Sequence, residues 1–367
     1  MADGRTEAQE LDELRQQIDS LDQQIQLLIN QRARCAQDVA EVKQRYAAPG
    51  NKVSFYRPER EAQVLRKVMD RNEGPLPDES MARLFREIMS QCLALEEPLE
   101  VAYLGPEGTF TQQAAVKHFG HAVHCRGEVS IADVFREVES GAANYGVVPV
   151  ENSTEGVVTH THDSFFDSNL KVCGEVTLRI HHHLLVKDPA QAVNRIYSHA
   201  QSLGQCRLWL DQHYPGIERI AVSSNAEAAR RASQETDSAA IAGDVAADLY
   251  ALTIRSANIE DRPDNTTRFL IIGREETEPS ANDKTSILVA NRDKPGALYE
   301  VLEPFHQAGI SLTRIETRPA RSGTWNYVFF IDFEGHIKDQ HIAPVMDELR
   351  KVALDFKWLG SYPRAVL

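Results

Sequence analysis

The sequence has no hydrophobic run near the length of roughly 20 residues that a membrane-spanning helix requires. Its first 12 residues are acidic and polar, without the apolar segment of a secretion signal. We therefore expect a cytoplasmic protein with no membrane partner. A length of 367 residues predicts two or three domains, each folding around its own hydrophobic core.

Cysteine is scarce. The 5 cysteines are odd in number and widely spaced, and none forms a CxxC pair. This pattern favours reduced thiols and argues against a zinc site. Three consecutive histidines, His181, His182 and His183, are also a poor metal site, because adjacent residues of a strand point to opposite faces. We expect no metal.

Positive charge is in deficit. The chain has 40 Lys and Arg against 54 Asp and Glu, a net charge of −14. Proteins that bind nucleic acids normally carry a basic surface, so we expect no nucleic-acid partner. Any small anion that the protein binds must meet local positive charge.

The N-terminal region has the pattern of one long helix followed by two shorter ones. From Leu11 to Tyr46 the apolar positions alternate three and four residues apart, which is a heptad seam. A helix over residues 6–46 is roughly 60 Å long, too long for a small domain to cover, so it needs a partner helix. Residues 47–51 break it, and further helices begin near Pro58 and Asp78.

Charged residues interrupt the apolar stripes of these helices. Arg32 occupies a seam position, and Lys43 lies about 16 Å further along the axis and within about 20° of it. Glu61 and Glu96 lie on the apolar faces of their own helices. An ion pair between Arg32 and a carboxylate of another helix is the purely structural alternative. Four such residues together predict a polar pocket inside a helical bundle.

The first 97 residues resemble the all-helical chorismate mutases through Leu14-Arg15, Gln31-Arg32, Lys43, Arg60-Glu61 and the helix from Arg83 to Glu96. The resemblance implies that Arg15, Arg32 and Arg60 hold the substrate carboxylates. Lys43 would donate to the ether oxygen, and Glu61 would bind the hydroxyl. The pericyclic rearrangement needs no nucleophile, only a compressed substrate conformer and donors aimed at the developing charge.

Three positions depart from the mutase pattern. Cys92 and Glu96 stand where relatives have serine and glutamine, and Arg57 stands where the family has an aspartate. Cys92 and Glu96 remain candidate substrate contacts, with Glu96 beside Lys43 as a catalytic donor. A glutamate donates only when it is protonated, so we expect burial to raise the pKa of Glu96.

Beyond residue 98 short apolar runs alternate with helical stretches as far as Gly273, which indicates an α/β region. Three motifs stand at strand ends: GPEGTF at 105–110, PVENSTEG at 149–156 and NTTRF at 265–269. In this order they resemble prephenate dehydratase. The resemblance implies two α/β lobes within residues 100–277, about 100–180 plus 266–277 against 181–265, with substrate between them.

The dehydratase resemblance also implies residue roles. Thr267 would assist departure of the ring hydroxyl, and Arg268 would bind a carboxylate. Thr109, Asn152 and Ser153 would complete the polar shell. Because loss of water and carbon dioxide leaves an aromatic ring, the reaction requires no metal or organic cofactor.

The polar residues 274–283 suggest a linker to a C-terminal domain, 284–367, whose predicted order βαββαβ is that of a ferredoxin-like fold. DKPGALY at 293–299 and IETRP at 315–319 resemble the two signatures of the ACT regulatory domain. The resemblance implies phenylalanine binding across a dimer interface; its contacts would be Gly296, Ala297, Leu298, Glu316, Thr317 and Arg318. A domain that only dimerises the enzyme is the alternative.

Together the resemblances imply a multidomain, bifunctional chorismate mutase and prephenate dehydratase acting on chorismate and prephenate, with phenylalanine as effector. The domains are residues 1–97, 100–277 and 284–367. We expect a homodimer, with pairing into tetramers left open. Two alternatives remain: a dehydratase whose helical segment only dimerises, and a non-catalytic amino-acid-binding regulator.

Overall fold

The computed structural model describes residues 6–47, 55–292, 294–319 and 326–367. In chain order these residues form a helical domain, two α/β lobes and a C-terminal α+β domain, which confirms the predicted fold class. Within the described ranges, no helix is both long enough and apolar enough to cross a membrane.

The helical domain has one long helix, begun by a capping box of Thr6 and Gln9. Its seam side chains are uncovered: Leu14, Ile18 and Leu21 are between 54% and 56% exposed. The sequence predicts that residues 47–51 break this helix. Ala47 ends it, and residues 48–51 lie outside the described ranges. The helices are α1 (Glu7–Tyr46), α2 (Pro58–Asp70) and α3 (Asp78–Ala94).

The first lobe is built on a mixed sheet. One of its strands, β11, follows the whole second lobe in the chain and then pairs with strands of the first lobe. The strand order is β2-β1-β3-β11-β5, with β4 paired to β3. The elements are β1 (Glu100–Leu104), α4 (Phe110–Phe119), β2 (His124–Glu128), α5 (Ile131–Ser140), β3 (Tyr145–Asn152), β4 (Gly156–Val157), α6 (Thr159–Asp167), β5 (Lys171–Arg179) and the returning β11 (Thr266–Gly273).

The second lobe lies between β5 and β11 in the chain and has its own sheet, in the order β10-β6-β9-β7-β8. Alanines of its helices and strands, such as Ala228, Ala240 and Ala246, pack closely in the core. The elements are β6 (His183–Val186), β7 (Arg195–His199), α7 (Ala200–Gln205), α8 (Arg207–His213), β8 (Glu218–Val222), α9 (Asn225–Gln234), β9 (Ser238–Ala242), α10 (Asp244–Leu249) and β10 (Thr253–Ser256).

The C-terminal domain has the predicted βαββαβ order and a four-stranded sheet, β13-β14-β12-β15. One face of the sheet packs on the two helices of the domain. Its other face shares a core with the first lobe, where Leu288 and Phe330 meet Phe135 and Phe165. The elements are β12 (Asp283–Arg292), α11 (Ala297–Gln307), β13 (Leu312–Pro319), β14 (Asn326–Glu334), α12 (Ala343–Val352) and β15 (Asp355–Pro363).

The segment before this domain is not a loose linker. Arg274 donates to the carbonyl oxygens of Val138 and Ala143, and Thr277 and Ser280 are buried. Gly360 brings β15 against β5, because a side chain there would collide with the carbonyl oxygen of Val172. The C-terminal domain is therefore docked on the first lobe rather than tethered to it.

Candidate active sites

The helical domain brings together three of the predicted residues. Arg32 and Lys43 of α1 both lie close enough to Glu96, just beyond α3, to act on its charge. Burial raises the pKa of Glu96, while the two cations oppose the rise. Lys43 also donates a hydrogen bond to the carbonyl oxygen of Phe55, with Nζ 3.4 Å from that oxygen. The pKa of Glu96 is thus raised, as the sequence analysis predicts.

Glu61 lies elsewhere. Its carboxylate is 3.2 Å from Nε of Arg86 on α3, and both side chains are at most 15% exposed. Arg86 also donates to the carbonyl oxygen of Lys117 on α4, at 2.9 Å. Burial raises the pKa of Glu61, and Arg86 opposes the rise. This placement at the boundary with the first lobe does not support the predicted contact of Glu61 with the substrate hydroxyl.

The remaining predicted residues of the helical domain divide by exposure. Cys92 is buried on α3, at 4% exposed. Arg15 and Arg60 are exposed on α1 and α2. Arg15 lies about 25 Å along α1 from Arg32, a span that no small dianion bridges. One protomer therefore does not bring all the predicted mutase residues together.

A cleft of about 550 Å³ separates the two lobes. Thr267 and Asn152 face each other across the β3–β11 pair and line this cleft. Thr109 lines it as well, where its side chain caps α4 and accepts from the N–H of Gln112. The cleft thus gathers three of the five residues predicted for the dehydratase site.

Hydrogen bonds define the orientation of the Asn152 amide. Its Oδ1 accepts from the backbone N–H groups of Thr154 and Glu155, at 2.9 and 3.0 Å. Its Nδ2 must therefore point the other way, and it lies 2.8 Å from both Asn265 Oδ1 and Thr267 Oγ1. Since Thr267 accepts this bond, its own hydroxyl proton is free to point into the cleft.

A chain of hydrogen-bonded amides supports Asn152, and sequence reasoning missed most of it. Asn265, inside the NTTRF motif, donates from Nδ2 to Gln205 Oε1 at 3.0 Å. Nε2 of His182 lies 2.8 Å from the same oxygen and so must carry a proton. Gln205 also donates to Glu155 of the first lobe, at 3.3 Å. Gln205 stands in no motif, so the sequence contained no signal for it.

The three consecutive histidines do not converge. His181 contacts Glu260 at 2.8 Å, and His183 accepts from the N–H of Asn258. His182 turns toward the cleft, where Phe110 meets its ring edge to face. Burial lowers the pKa of His182, which favours the neutral imidazole.

Two residues predicted for the dehydratase site have other contacts. Ser153 Oγ accepts from the N–H of Thr266 and fastens the strand pair. Arg268 points to the opposite face of β11 from Thr267, as successive strand residues do. Its guanidinium binds Glu175, Asp332 and Tyr362, at distances between 2.6 and 2.9 Å. The expected contact of Arg268 with a substrate carboxylate is not supported by this placement.

Comparison with known proteins accounts for all three domains. Family models match in order: chorismate mutase type II at residues 14–97, prephenate dehydratase at 101–277 and the ACT domain at 285–351. The bifunctional chorismate mutase/prephenate dehydratase of Pseudomonas aeruginosa is 62% identical over 98% of this chain and 99% of its own length. This chain belongs to the bifunctional chorismate mutase/prephenate dehydratase family.

Other members and solved structures agree with this. The bifunctional chorismate mutase/prephenate dehydratase of Neisseria gonorrhoeae is 50% identical over 98% of this chain and 100% of its own length. A crystal structure of prephenate dehydratase from Arthrobacter aurescens in complex with L-Phe is 33% identical, with a TM-score of 0.67, over 73% of this chain and 90% of that one.

The same fold also carries another activity. The structure of GqqA, a quorum-quenching acylase, is 27% identical, with a TM-score of 0.67, over 73% of this chain and 98% of that one. Fold alone therefore does not decide the chemistry. In this chain the presence of both enzyme domains makes it a chorismate mutase and a prephenate dehydratase.

In the ACT domain the two predicted effector segments lie at one end of the sheet. Gly296, with φ of +85°, precedes α11, and Ala297 and Leu298 form the first turn of that helix. Across β14, Val328 pairs with both Ala290 of β12 and Arg318 of β13. The two segments therefore lie at the same end of the sheet, on either side of β14. Asp293 lies outside the described ranges.

Alternation along β13 separates the remaining effector residues. Glu316 and Arg318 are half-buried on one face, and Thr317 is exposed on the other. Arg318 already contacts Asp163 of α6, with NH2 3.0 Å from Oδ1. A residue expected to bind the effector thus also touches the dehydratase domain.

Proposed function

We propose that Thr267 of the prephenate dehydratase domain donates its hydroxyl proton to the departing ring hydroxyl of prephenate. The hydrogen bond from Asn152 Nδ2 to Thr267 Oγ1, at 2.8 Å, carries this proposal, because it leaves the threonine proton free for the substrate. The C–O bond breaks to release water, the bond to the ring carboxylate breaks to release carbon dioxide, and its electron pair makes the ring aromatic. Thr267 then regains a proton from solvent.

We further propose that helix N-termini, rather than Arg268, attract the two carboxylates of prephenate. Thr109 and Ser224 cap α4 and α9, each through its own side chain, and both residues line the cleft. The first turn of a helix presents unpaired N–H groups and a partial positive charge. This supplies the local positive potential that an acidic protein needs in order to bind a dianion.

For the chorismate mutase domain we propose that Arg32, Lys43 and Glu96 contact chorismate. Their support is the convergence of two cations on a half-buried carboxyl whose pKa is raised. Lys43 and protonated Glu96 would both donate to the ether oxygen as negative charge develops there. Arg15 would come from a second protomer, while Arg60 and Cys92 stay predictions.

We infer a homodimer in which a second α1 covers the exposed seam. Leu11, Leu14, Ile18, Leu21, Ile25 and Leu28 are between 42% and 62% exposed on one helix. A contiguous apolar stripe of this length is unfavourable in water, and a second copy offers the same heptad pattern. Light scattering of the purified chain tests this, and a monomer at micromolar concentration would contradict it.

We infer that phenylalanine binds at the end of the ACT sheet that carries residues 296–298 and 316–318, and that it inhibits the dehydratase. The relative from Arthrobacter aurescens was solved with L-Phe, and the two segments lie at one end of the sheet here. The edge strand β13 is open to a second ACT domain. We also infer a cytoplasmic location, because all 5 cysteines are free.

One assay separates the candidate functions. Purified protein is incubated with chorismate, and prephenate and phenylpyruvate are followed with and without phenylalanine. Formation of both products is expected. A chain that converts prephenate but not chorismate would be a dehydratase with a structural helical segment. A chain that binds phenylalanine without turnover would be a regulator.

A further inference from the structure

Two neighbouring cross-strand pairs on β3 and β11 face opposite ways. Thr267 is paired with Asn152, and the next residue, Arg268, is paired with Glu151. The Thr267 and Asn152 side chains line the cleft between the lobes. Because side chains alternate along a strand, Arg268 and Glu151 project from the back of the same sheet segment, toward the ACT domain.

The ACT domain presents a matching pair. Arg314 on β13 and Asp332 on β14 are opposite each other in register. Asp332 Oδ2 lies 2.6 Å from NH1 of Arg268, and NH1 of Arg314 lies 2.7 Å from Oε2 of Glu151. We call Arg268, Glu151, Arg314 and Asp332 the interdomain quartet.

The Arg268–Asp332 half of the quartet is well satisfied. Their side chains are 14% and 12% exposed, and Arg268 is also held by Glu175 and Tyr362. Burial by itself would raise the pKa of Asp332, but the charge of Arg268 and a hydrogen bond from Ser286 lower it overall. This half is a stable charged contact between the two domains.

The Arg314–Glu151 half is looser. The side chain of Arg314 is 11% exposed, whereas that of Glu151 is 42% exposed. None of the three buried guanidinium nitrogens of Arg314 makes an aligned hydrogen bond in the described structure, so its pairing with Glu151 is a contact of charges only. A buried guanidinium is costly to leave without a partner, so the position of Arg314 is energetically coupled to that of Glu151.

The looser half lies on the strand that carries the proposed effector contacts. Glu316 and Thr317 follow Arg314 on β13, and β13 is the edge strand of the ACT sheet. A ligand or a second ACT domain that docks on this edge would shift the strand that carries Arg314 directly, because no other strand lies between them. Such a shift moves Arg314 relative to Glu151.

We propose that Glu151 and Arg268 are positioning residues that hold Asn152 and Thr267 in register, and that the quartet transmits phenylalanine binding from β13 to that pair. This rests on the proposed role of Thr267 and on the proposed effector site. Neither Glu151 nor Arg268 touches substrate. Glu151 positions Asn152, the next residue in the chain, and Arg268 positions Thr267, the residue before it.

The first test is a split between kcat and KM. Arg268→Lys keeps the positive charge but cannot make all three hydrogen bonds of the guanidinium. The dehydratase kcat should therefore fall about tenfold or more, while KM for prephenate stays near wild type. Mutase turnover in the same chain reports whether the variant is folded. If KM rises instead and kcat holds, Arg268 binds the substrate carboxylate, and the positioning role is overturned.

The second test separates effector binding from inhibition. Glu151→Gln removes a half-exposed charge, so the variant should fold. Calorimetry should show phenylalanine binding as in wild type, while the phenylalanine concentration needed for half inhibition should rise about tenfold. Lys357→Met is the matched control, since Lys357 also joins the domains, through the carbonyl oxygens of Phe165 and Phe166, without a cleft neighbour. It should be inhibited normally.

The two proposals fail in different ways. Wild-type inhibition of Glu151→Gln, or loss of inhibition in Lys357→Met as well, would overturn the quartet. An active Thr267→Ala variant would instead overturn the proposed catalytic role, whatever the quartet variants do.

Discussion

Nδ2 of Asn152 lies 2.8 Å from Oγ1 of Thr267, and the amide cannot be reversed, because its oxygen is held by two backbone N–H groups. The threonine is therefore an acceptor toward the protein and a donor toward the cleft. General acid assistance of a departing group depends on that direction.

The first prediction concerns Thr267. Thr267→Ala should lower the dehydratase kcat about hundredfold or more, since positioned proton transfer typically contributes at least that. Thr267→Ser, which keeps the hydroxyl, should retain much of the activity. Mutase turnover should not change in either variant, because the two reactions use separate domains. Phenylpyruvate formation at the wild-type rate by Thr267→Ala would contradict the assignment.

Asn152→Asp tests the direction of the hydrogen bond itself. An ionised aspartate accepts but does not donate, so it would take the proton of Thr267 and turn it away from the cleft. We expect a loss of dehydratase kcat similar to that of Thr267→Ala, although the side chains are nearly the same shape. An increase in activity toward low pH, as the aspartate becomes protonated, would support this reading. Full activity at neutral pH would refute it.

Glu96→Gln tests the mutase donor. Burial raises the pKa of Glu96, so its protonated, donating form persists to higher pH than in an ordinary glutamate and is lost as the pH rises through the raised pKa. Wild-type mutase kcat should therefore fall on the alkaline side, whereas Glu96→Gln should stay level there. Glu79→Gln, an exposed carboxylate change on the same α3, is the control. Identical pH profiles would remove Glu96 from the mechanism.

Arg15 and Arg32 test the intertwined dimer. Each single variant, Arg15→Ala or Arg32→Ala, should nearly abolish mutase activity. Refolding the two variants together in equal amounts should make about half the dimers mixed, each with one intact site, and restore roughly a quarter of wild-type activity. Verified mixed dimers without recovery would show that the two arginines do not meet across the interface.

Gly296→Leu and Glu316→Ala test the effector site. The left-handed φ of +85° at Gly296 disfavours any side chain, so leucine should distort the start of α11 and abolish phenylalanine inhibition. Glu316→Ala should weaken it, with basal turnover intact in both variants. Point variants are needed because deleting the ACT domain would uncover the core that it shares with the first lobe. Inhibition of normal strength in both variants would exclude this site.

Local pattern was enough to predict much of this protein. Heptad spacing predicted α1, alternating strand and helix patterns predicted the α/β region, and the βαββαβ order predicted a ferredoxin-like domain, while the two lobes and the ACT domain were implied by resemblance. These signals are short in range, since they depend on which face of a helix or strand a side chain occupies. The same periodicity singled out Arg32, Lys43 and Glu96, and in the structure the charges of Arg32 and Lys43 act on Glu96.

What the sequence did not decide was the partner that each charged side chain meets. Glu61 and Glu96 looked alike as carboxylates on apolar stripes, yet Glu61 pairs with Arg86 and only Glu96 is near Lys43. Gln205 has no motif, and its partner Asn265 lies 60 residues further along the chain. Thr267 and Arg268 are adjacent in one motif, and pleating of β11 sends the first to the cleft and the second to the ACT domain. Sequence determined the secondary structure and the chemistry available; only the packing of the domains determined which of these groups contact one another, because those contacts join residues far apart in the chain.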